Sequence, residues 1–380
     1  MSVRKRRWTT AKGEAREAWI VDYVDQHGAR HILSFRRKKD ADAAAQQTGV
    51  DVRTGMHTAA SKSITVSQAA EDWIAATALE NRERTTLMQY RQHAAHINAR
   101  IGNQKLAGLT APGINKFRDD LLQTMSRPMA RKVLGSLKSL LRHAQNRGNV
   151  AQNVALAVKI KANPRDKKRL EIGVDIPTTD EIKAILAASG RSRPLLLVAV
   201  FAGLRSSELR GMRWSDVDLK QGVLHVRQRA DRYGIIGKPK SKAGHRTVPL
   251  GPEVVKALKE WKVQCPNSGA HGLVFPTPSG DGVAMHNNTV RAFIAAVRAA
   301  GLFDKNGAPK YSGLHALRHF FASWCINPQE RGGLGLPPKV VQQRLGHSSI
   351  VMTMDTYGHL FPESDDVHER LAKAEYALLR

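Results

Sequence analysis

Leu314-His315-Ala316-Leu317-Arg318-His319 sets an arginine three residues after one histidine and next to a second. On a helix His315 and Arg318 would share a face. Working outward, a second arginine stands upstream in Ala202-Gly203-Leu204-Arg205-Ser206-Ser207-Glu208-Leu209. Downstream come Leu345-Gly346-His347-Ser348-Ser349 and then Thr353-Met354-Asp355-Thr356-Tyr357-Gly358-His359. Taken singly, each arginine is an ordinary surface residue. Taken together and in this order, two arginines, several histidines and a late tyrosine are the parts needed to open and reseal a phosphodiester through a protein–phosphate bond.

The reasoning is chemical. Phosphoryl transfer loads charge onto the non-bridging oxygens, and the protein must hold that charge and align the attacking and leaving oxygens. Arginine suits the first task because its planar fork meets two oxygens and stays charged. The nucleophile must be Ser, Cys or Tyr. Neither Cys265 nor Cys325 lies within the basic motifs, whereas Tyr357 does. Its neighbourhood is polar, which predicts a tyrosine outside the core. A leaving alkoxide needs a proton, and Lys238-Pro-Lys240-Ser-Lys242-Ala-Gly-His-Arg246 offers donors. Residues 220–246 hold eight Lys or Arg against one Asp. Most of these, Lys238 and Arg246 included, are expected to contact phosphate, with one lysine as general acid.

A metal reading is weaker. His315 and His319 stand at i,i+4, but no Glu follows the first His and Arg318 would put a cation beside the ion. Gly332-Gly-Leu-Gly-Leu-Pro-Pro338 lacks the Gly-Lys-Ser/Thr of a nucleotide loop and reads as a flexible connection. No metal and no other cofactor is therefore expected.

Composition points the same way. The 380 residues carry 60 Lys plus Arg against 33 Asp plus Glu, a formal charge of +27, and a hydrophobic fraction of 42% sufficient for packed cores. Such an imbalance favours nucleic acid, through release of counterions from phosphates. An anionic membrane is the rival, but there is no apolar run of spanning length. The basic start, Met1 to Trp8, is followed by no apolar segment and is not read as a secretory signal. Two unpaired cysteines fit a reducing interior. The expected location is cytoplasmic, at the nucleoid in a bacterial host.

The length suits two or three domains. The fold class read from the pattern is mixed and mainly α. Residues 1–60 read as a small β-rich unit of three strands and a helix. Ala18–Asp25 and Arg30–Arg36 are strand candidates, joined at Gln26–Ala29. The second runs into Arg36-Arg37-Lys38-Lys39, and a short helix starts at Asp40. Residues 1–62 hold 13 basic and 7 acidic side chains, so a basic sheet for a DNA groove is expected. Residues 65–160 read as helical, over Val66–Leu79, Arg84–Ile101, Thr110–Leu122 and Arg127–Arg147. The last presents Arg131, Lys132, Lys138, Arg142 and Arg147, a face suited to phosphates. Residues 161–175 read as a linker. Thr178-Thr-Asp-Glu181 is a capping box that opens the 176–380 region. A helix from Arg193 and strands at Val223–Arg227 and Arg246–Leu250 follow.

These four ordered motifs resemble the tyrosine recombinases, the phage-integrase family, across residues 176–380. The upstream parts are similar to an arm-binding domain followed by a helical, SAM-like core-binding domain. The resemblance implies an α+β catalytic domain that integrates or excises a mobile element. Tyr357 would attack the scissile phosphate and leave a 3′-phosphotyrosine and a free 5′-hydroxyl. Arg205 and Arg318 would clamp the phosphate, while His315 and His347 would hydrogen-bond it. Glu208 and His319 would support the site. Lys240, followed by Ser241, best fits the family's lysine, with Lys242 an alternative. Family members need neither metal nor ATP. The implied partners are duplex attachment sites, three further copies of the chain in a homotetramer, and DNA-bending or directionality proteins. The terminal helix from about Ser364 would dock on a neighbouring subunit. A type IB topoisomerase and a non-enzymatic DNA-binding protein are the alternatives. The arm-like unit argues against the first and the complete residue set against the second.

Overall fold

The protein is described here by a computed structural model covering residues 1–11, 13–25, 28–53, 63–80, 82–161, 169–266, 272–280, 282–361 and 367–379. It divides into two compact units, Met1–Asp166 and Lys167–Arg380.

The first unit begins with an antiparallel sheet of order β1 (Ser2–Thr9), β2 (Ala15–Val24), β3 (Arg30–Phe35), followed by helix α1 (Lys38–Arg53). Trp19, Val21 and Tyr23 alternate along β2, and Val21 and Tyr23 are buried with Ala41 and Ala45 of α1. Strand β1 carries no alternating apolar pattern in the sequence. It forms because its backbone pairs with β2 from Ser2↔Asp22 to Thr9↔Ala15. Glu17 also takes Lys5 at 2.8 Å and Arg7 at 3.2 Å. Helix α1 starts two residues before the expected Asp40 and is not short. Residues 26 and 27 of the expected turn lie outside the described residues.

Four helices follow: α2 (Val66–Leu79), α3 (Arg84–Ile101), α4 (Ala111–Thr124) and α5 (Arg127–Asn146). Thr65 and Gln68 form a reciprocal capping box for α2, and Thr110 caps α4 with Pro112 in its first turn. Helix α5 buries Ala130, Val133, Leu134, Leu137, Leu140, Leu141 and Ala144 at helical spacing. Each large apolar side chain so buried stabilises by about 1.5–3 kcal/mol. Residues 162–168 of the expected linker lie outside the described residues.

The second unit opens on α6 (Thr179–Ala187), where Thr178 and Glu181 cap each other. Next come α7 (Arg193–Phe201) and the five-residue α8 (Ser206–Arg210). The chain turns between them at Gly203, with φ +57; a Cβ there would lie 2.2 Å from the Phe321 ring. A small sheet of order β4 (Val217–Asp218), β5 (Val223–Val226), β8 (Arg246–Pro249) is antiparallel. The expected single basic turn between β5 and β8 is more elaborate: it contains a further hairpin, β6 (Arg229–Ala230) with β7 (Ile236–Gly237). Helices α9 (Pro252–Gln264), α10 (His286–Ala299), α11 (His315–Ile326), α12 (Pro338–Leu345), α13 (Ile350–Tyr357) and α14 (Val367–Leu379) complete the unit. Its main core joins Ile182, Ile185, Val198, Val200, Leu209, Leu224, Val248, Leu258, Phe293, Val297 and Leu317.

The glycine-rich connection after α11 differs from the sequence expectation. Rather than a flexible link, it is tied back to the helix end. Leu334 N donates to Trp324 O at 2.9 Å, Gly335 N to Asn327 O at 2.8 Å and Leu336 N to Cys325 O at 2.8 Å. Among the described residues no single helix is long and apolar enough to cross a membrane.

Candidate active site

The end of α7, helix α8, the N-terminal half of α11 and the α12–α13 corner bring the sequence-predicted residues together. Arg318, one turn into α11, is 2% exposed. Its guanidinium donates to Gly203 O and to Leu345 O, each at 2.6 Å. It therefore stitches the first arginine motif to the Leu-Gly-His motif. Burial and the nearby Arg205 push its pKa down, yet it stays charged at neutral pH. Arg205 is the N-cap residue of α8 and is about a third exposed. It donates to Glu208 Oε1 at 2.7 Å and to Gly346 O at 2.9 Å.

Glu208 is 3% exposed and receives Arg205 on one oxygen and Arg246 Nη2 at 2.8 Å on the other. Burial alone would raise its pKa. The charge and hydrogen bond of Arg246, then Arg205, outweigh that and hold it at about 2. Glu208 is thus a buried carboxylate that orients two arginines. Arg246 is a correction to the sequence reading. Its side chain is only 6% exposed and also donates to Arg344 O at 2.8 Å and Gly244 O at 3.2 Å, so it braces the site and does not face a groove. Its position in strand β8, turned inward against Glu208, is what a count of basic residues could not reveal.

Tyr357 also departs from expectation, because it is 2% exposed. Helix α13 buries Thr353 and Tyr357, one turn apart, and exposes Val351, Met352 and Met354 instead. The Tyr357 hydroxyl lies 2.8 Å from His319 Nδ1. Its ring stacks on His347 at 6.4 Å with an interplanar angle of 3°. Burial raises the Tyr357 pKa to about 12, against the pull of Arg318. His347 is buried, with Nδ1 3.0 Å from Thr353 Oγ1, and its carbonyl accepts Gln342 Nε2 at 3.0 Å. Burial, then Arg318 and Arg205, lowers its pKa to about 4. His319 is likewise lowered to about 4 by burial, His315 and Arg318. His315, the first residue of α11, is exposed and meets the His319 ring edge-on at 4.5 Å. Thr353 and Gln342 escaped the sequence reading, since neither type signals chemistry by itself.

Gly346 closes the corner. With φ +64 it caps α12, and a Cβ there would stand 2.9 Å from Ala243 O. The turn Lys242–Gly244 after β7 therefore abuts the Leu-Gly-His motif. Lys238, Lys240 and Lys242 are all exposed along this segment. Elsewhere, Arg36, Arg37, Lys38 and Lys39 are exposed at the β3–α1 junction, and Arg131 and Arg142 are exposed on α5. Lys138 differs: it is half-buried and donates to Leu156 O at 3.2 Å, so it pins the chain after α5 rather than projecting to a ligand. Among the described residues no group of three or more His, Cys, Asp or Glu could hold a metal ion.

The geometry is a buried hydroxyl beside two neutral imidazoles and two cationic forks, the equipment for phosphoryl transfer to a tyrosine. Known proteins agree. Residues 177–364 match the phage integrase family. The chain belongs to this family, the tyrosine recombinases, enzymes that cut and rejoin DNA at specific sites. A XerC-like tyrosine recombinase of Caldanaerobacter subterraneus subsp. tengcongensis is 26% identical over 356 residues, covering 86% of this chain and 87% of the relative. Tyrosine recombinase XerC of Xanthomonas axonopodis pv. citri is 29% identical over 257 residues, 67% of this chain and 76% of the relative. In fold, the chain resembles the Tn1549 transposon integrase in complex with a circular intermediate DNA, with TM-score 0.64, 19% identity and coverage of 83% and 100%. It also resembles a lambda integrase dimer bound to a core site, with TM-score 0.58, 20% identity and coverage of 91% and 93%.

Proposed function

We propose that this recombinase integrates or excises a mobile element through a 3′-phosphotyrosine intermediate, with Tyr357 as nucleophile. The observation that carries this reading is the 2.8 Å contact between the Tyr357 hydroxyl and His319 Nδ1, next to the buried Arg318. In the DNA-free protein burial holds His319 neutral; the anionic scissile phosphate, once bound, raises its basicity, and it accepts the hydroxyl proton as the Tyr357 oxygen attacks phosphorus. Arg205 and Arg318 hold the non-bridging oxygens, and His315 and His347 hydrogen-bond them. The P–O5′ bond breaks, and Lys240 or Lys242 protonates the leaving oxygen. Rejoining runs the same steps in reverse, with the phosphotyrosine keeping the bond energy.

Duplex DNA is the substrate, and the +27 charge supports its binding. The sheet and the Arg36–Lys39 cluster would read an arm-type site, and α5 would follow the core-site backbone through Arg131 and Arg142. Lys238 would contact phosphate beside the cleavage site. Assembly as a homotetramer, aided by DNA-bending or directionality proteins, is supported by exposed apolar side chains on α13 (Val351, Met352, Met354) and α14 (Leu371, Tyr376, Leu378, Leu379).

Cleavage of a synthetic attachment-site duplex tests the roles. Arg205→Ala or Arg318→Ala should lower the cleavage rate by ~10²–10³ while DNA binding persists. Near wild-type cleavage by either variant would overturn the clamp assignment. Lys240→Ala and Lys242→Ala should differ, the more damaging one marking the acid. Equal, mild effects would make both simple phosphate contacts.

A further inference from the structure

Arg210 is an arginine for which the mechanism has so far found no use. It ends α8, two residues after Glu208, and is 2% exposed. Among the described residues no carboxylate forms an ion pair with it, and Asp231 acts on it only through space. Its Nη2 donates to Ala230 O at 2.9 Å, and its Nη1 to Asp231 O at 2.8 Å and Ala284 O at 3.5 Å, while among the described residues its Nε has no hydrogen-bond partner. A buried cation spent on backbone carbonyls is expensive, because its desolvation is repaid mainly by neutral acceptors, with the Asp231 charge the lesser offset. Such a cost calls for a reason at the place it grips.

That place is the entrance to the lysine segment. Ala230 ends β6, and Asp231 starts the turn to β7: its Oδ1 accepts Tyr233 N at 2.8 Å and Ile235 N at 3.0 Å. Strand β7 then leads into Lys238, Lys240 and Lys242. Two further contacts bind the start of β6 and the residue before it to Gly211, the C-cap of α8: Gln228 Nε2 donates to Gly211 O at 2.7 Å, and a Cβ on Gly211 would sit 2.7 Å from the Arg229 backbone. At the far end of the segment, Arg246 is held by Glu208, also on α8. One turn of helix therefore fixes both ends of residues 231–246, Arg210 at the entrance and Glu208 at the exit. The same turn begins with Arg205, one of the phosphate-clamping residues.

We propose that Arg210 is a positioning residue that sets the lysine-bearing segment against the leaving 5′-oxygen, in register with the phosphate clamp. The inference rests on the proposed role of Lys240 or Lys242 as general acid. Its consequence is specific to one half of the reaction. Misplacing the acid slows departure of an oxygen leaving group and spares one that needs no proton.

The test is single-turnover cleavage of two duplexes, one natural and one with sulfur replacing the bridging 5′-oxygen at the scissile phosphate. With sulfur, attack by Tyr357 breaks the P–S bond and releases a thiolate, which leaves without protonation. Wild type, Arg210→Met, Arg210→Lys, Lys240→Ala and Lys242→Ala are compared. Arg210→Met should lose ~10–10²-fold on the oxygen substrate and under about 3-fold on the sulfur substrate, within the range of general acid catalysis. Because the ratio of the two rates comes from one preparation, it does not depend on the folded fraction. Arg210→Lys keeps a cation with fewer donors and should fall between wild type and Arg210→Met; it also serves as the readout if the Met variant does not accumulate. Equal losses on both substrates by the Arg210 variants, with sulfur rescuing one lysine variant, would overturn the positioning role and leave the acid intact. If sulfur rescues neither lysine variant, the acid assignment itself fails.

Discussion

Tyr357 shows how residue-level reading succeeds and fails at once. Its order after Arg205, His315, Arg318 and His347 singled it out, because chemistry is written in residue types. Its burial was hidden, because α13 turns its polar Thr353 and Tyr357 inward and its methionines outward, against the usual amphipathic rule. Arg246 was likewise counted with the groove-facing cations, since only the fold reveals Glu208 beside it. The buried histidines give a pH prediction. His319 and His347 have folded pKa values of about 4 against 6.5 for the free side chain. The unfolded chain then binds more protons than the folded one between those values, so stability falls as pH drops from about 6.5 to 4. Thermal melts of the DNA-free protein should show Tm decreasing over that window, with a shallower decrease in His347→Gln. A Tm flat from pH 6.5 to 4 would contradict the burial of neutral imidazoles.

At the scale of elements, the start of α6 is readable because its cap is local: the Thr178–Glu181 box lies within four residues, and the structure adds a box of the same kind, Thr65–Gln68, before α2. Strand β1 is expected only as a third strand without a position, and the β6–β7 hairpin is not expected at all, since each depends on pairing with residues elsewhere and β1 has no apolar alternation. The α12–α13 corner makes the sharpest element-level prediction. Gly346→Ala adds left-handed strain of ~1–2 kcal/mol and drives a methyl into Ala243 O and Arg246. The Lys242–Gly244 turn must shift, so cleavage per folded molecule should fall by more than the loss of Tm implies. Gly301→Ala, at φ +72 in open space, carries the strain alone and should lower Tm without changing cleavage. Equal cleavage by the two variants, measured in single turnover, would separate the corner from the chemistry.

Over the whole molecule, the excess of positive charge is an argument about partners that needs no fold. The exposed arginines of α5 and of the β3–α1 junction distribute it over the first unit. Affinity for duplex DNA should fall steeply and linearly in log–log plots against salt, and Arg131→Ala and Arg142→Ala should each reduce the slope by about 1. An unchanged slope in both would remove α5 from the DNA interface.

The most direct measurement is covalent trapping on a nicked duplex carrying the attachment site beside the gene, resolved on a denaturing gel. Wild-type protein should give a protein–DNA band that disappears in Tyr357→Phe while DNA binding is retained. A band of the same intensity from Tyr357→Phe would contradict tyrosine 357 as the nucleophile, and with it the arrangement of arginines and histidines built around that hydroxyl.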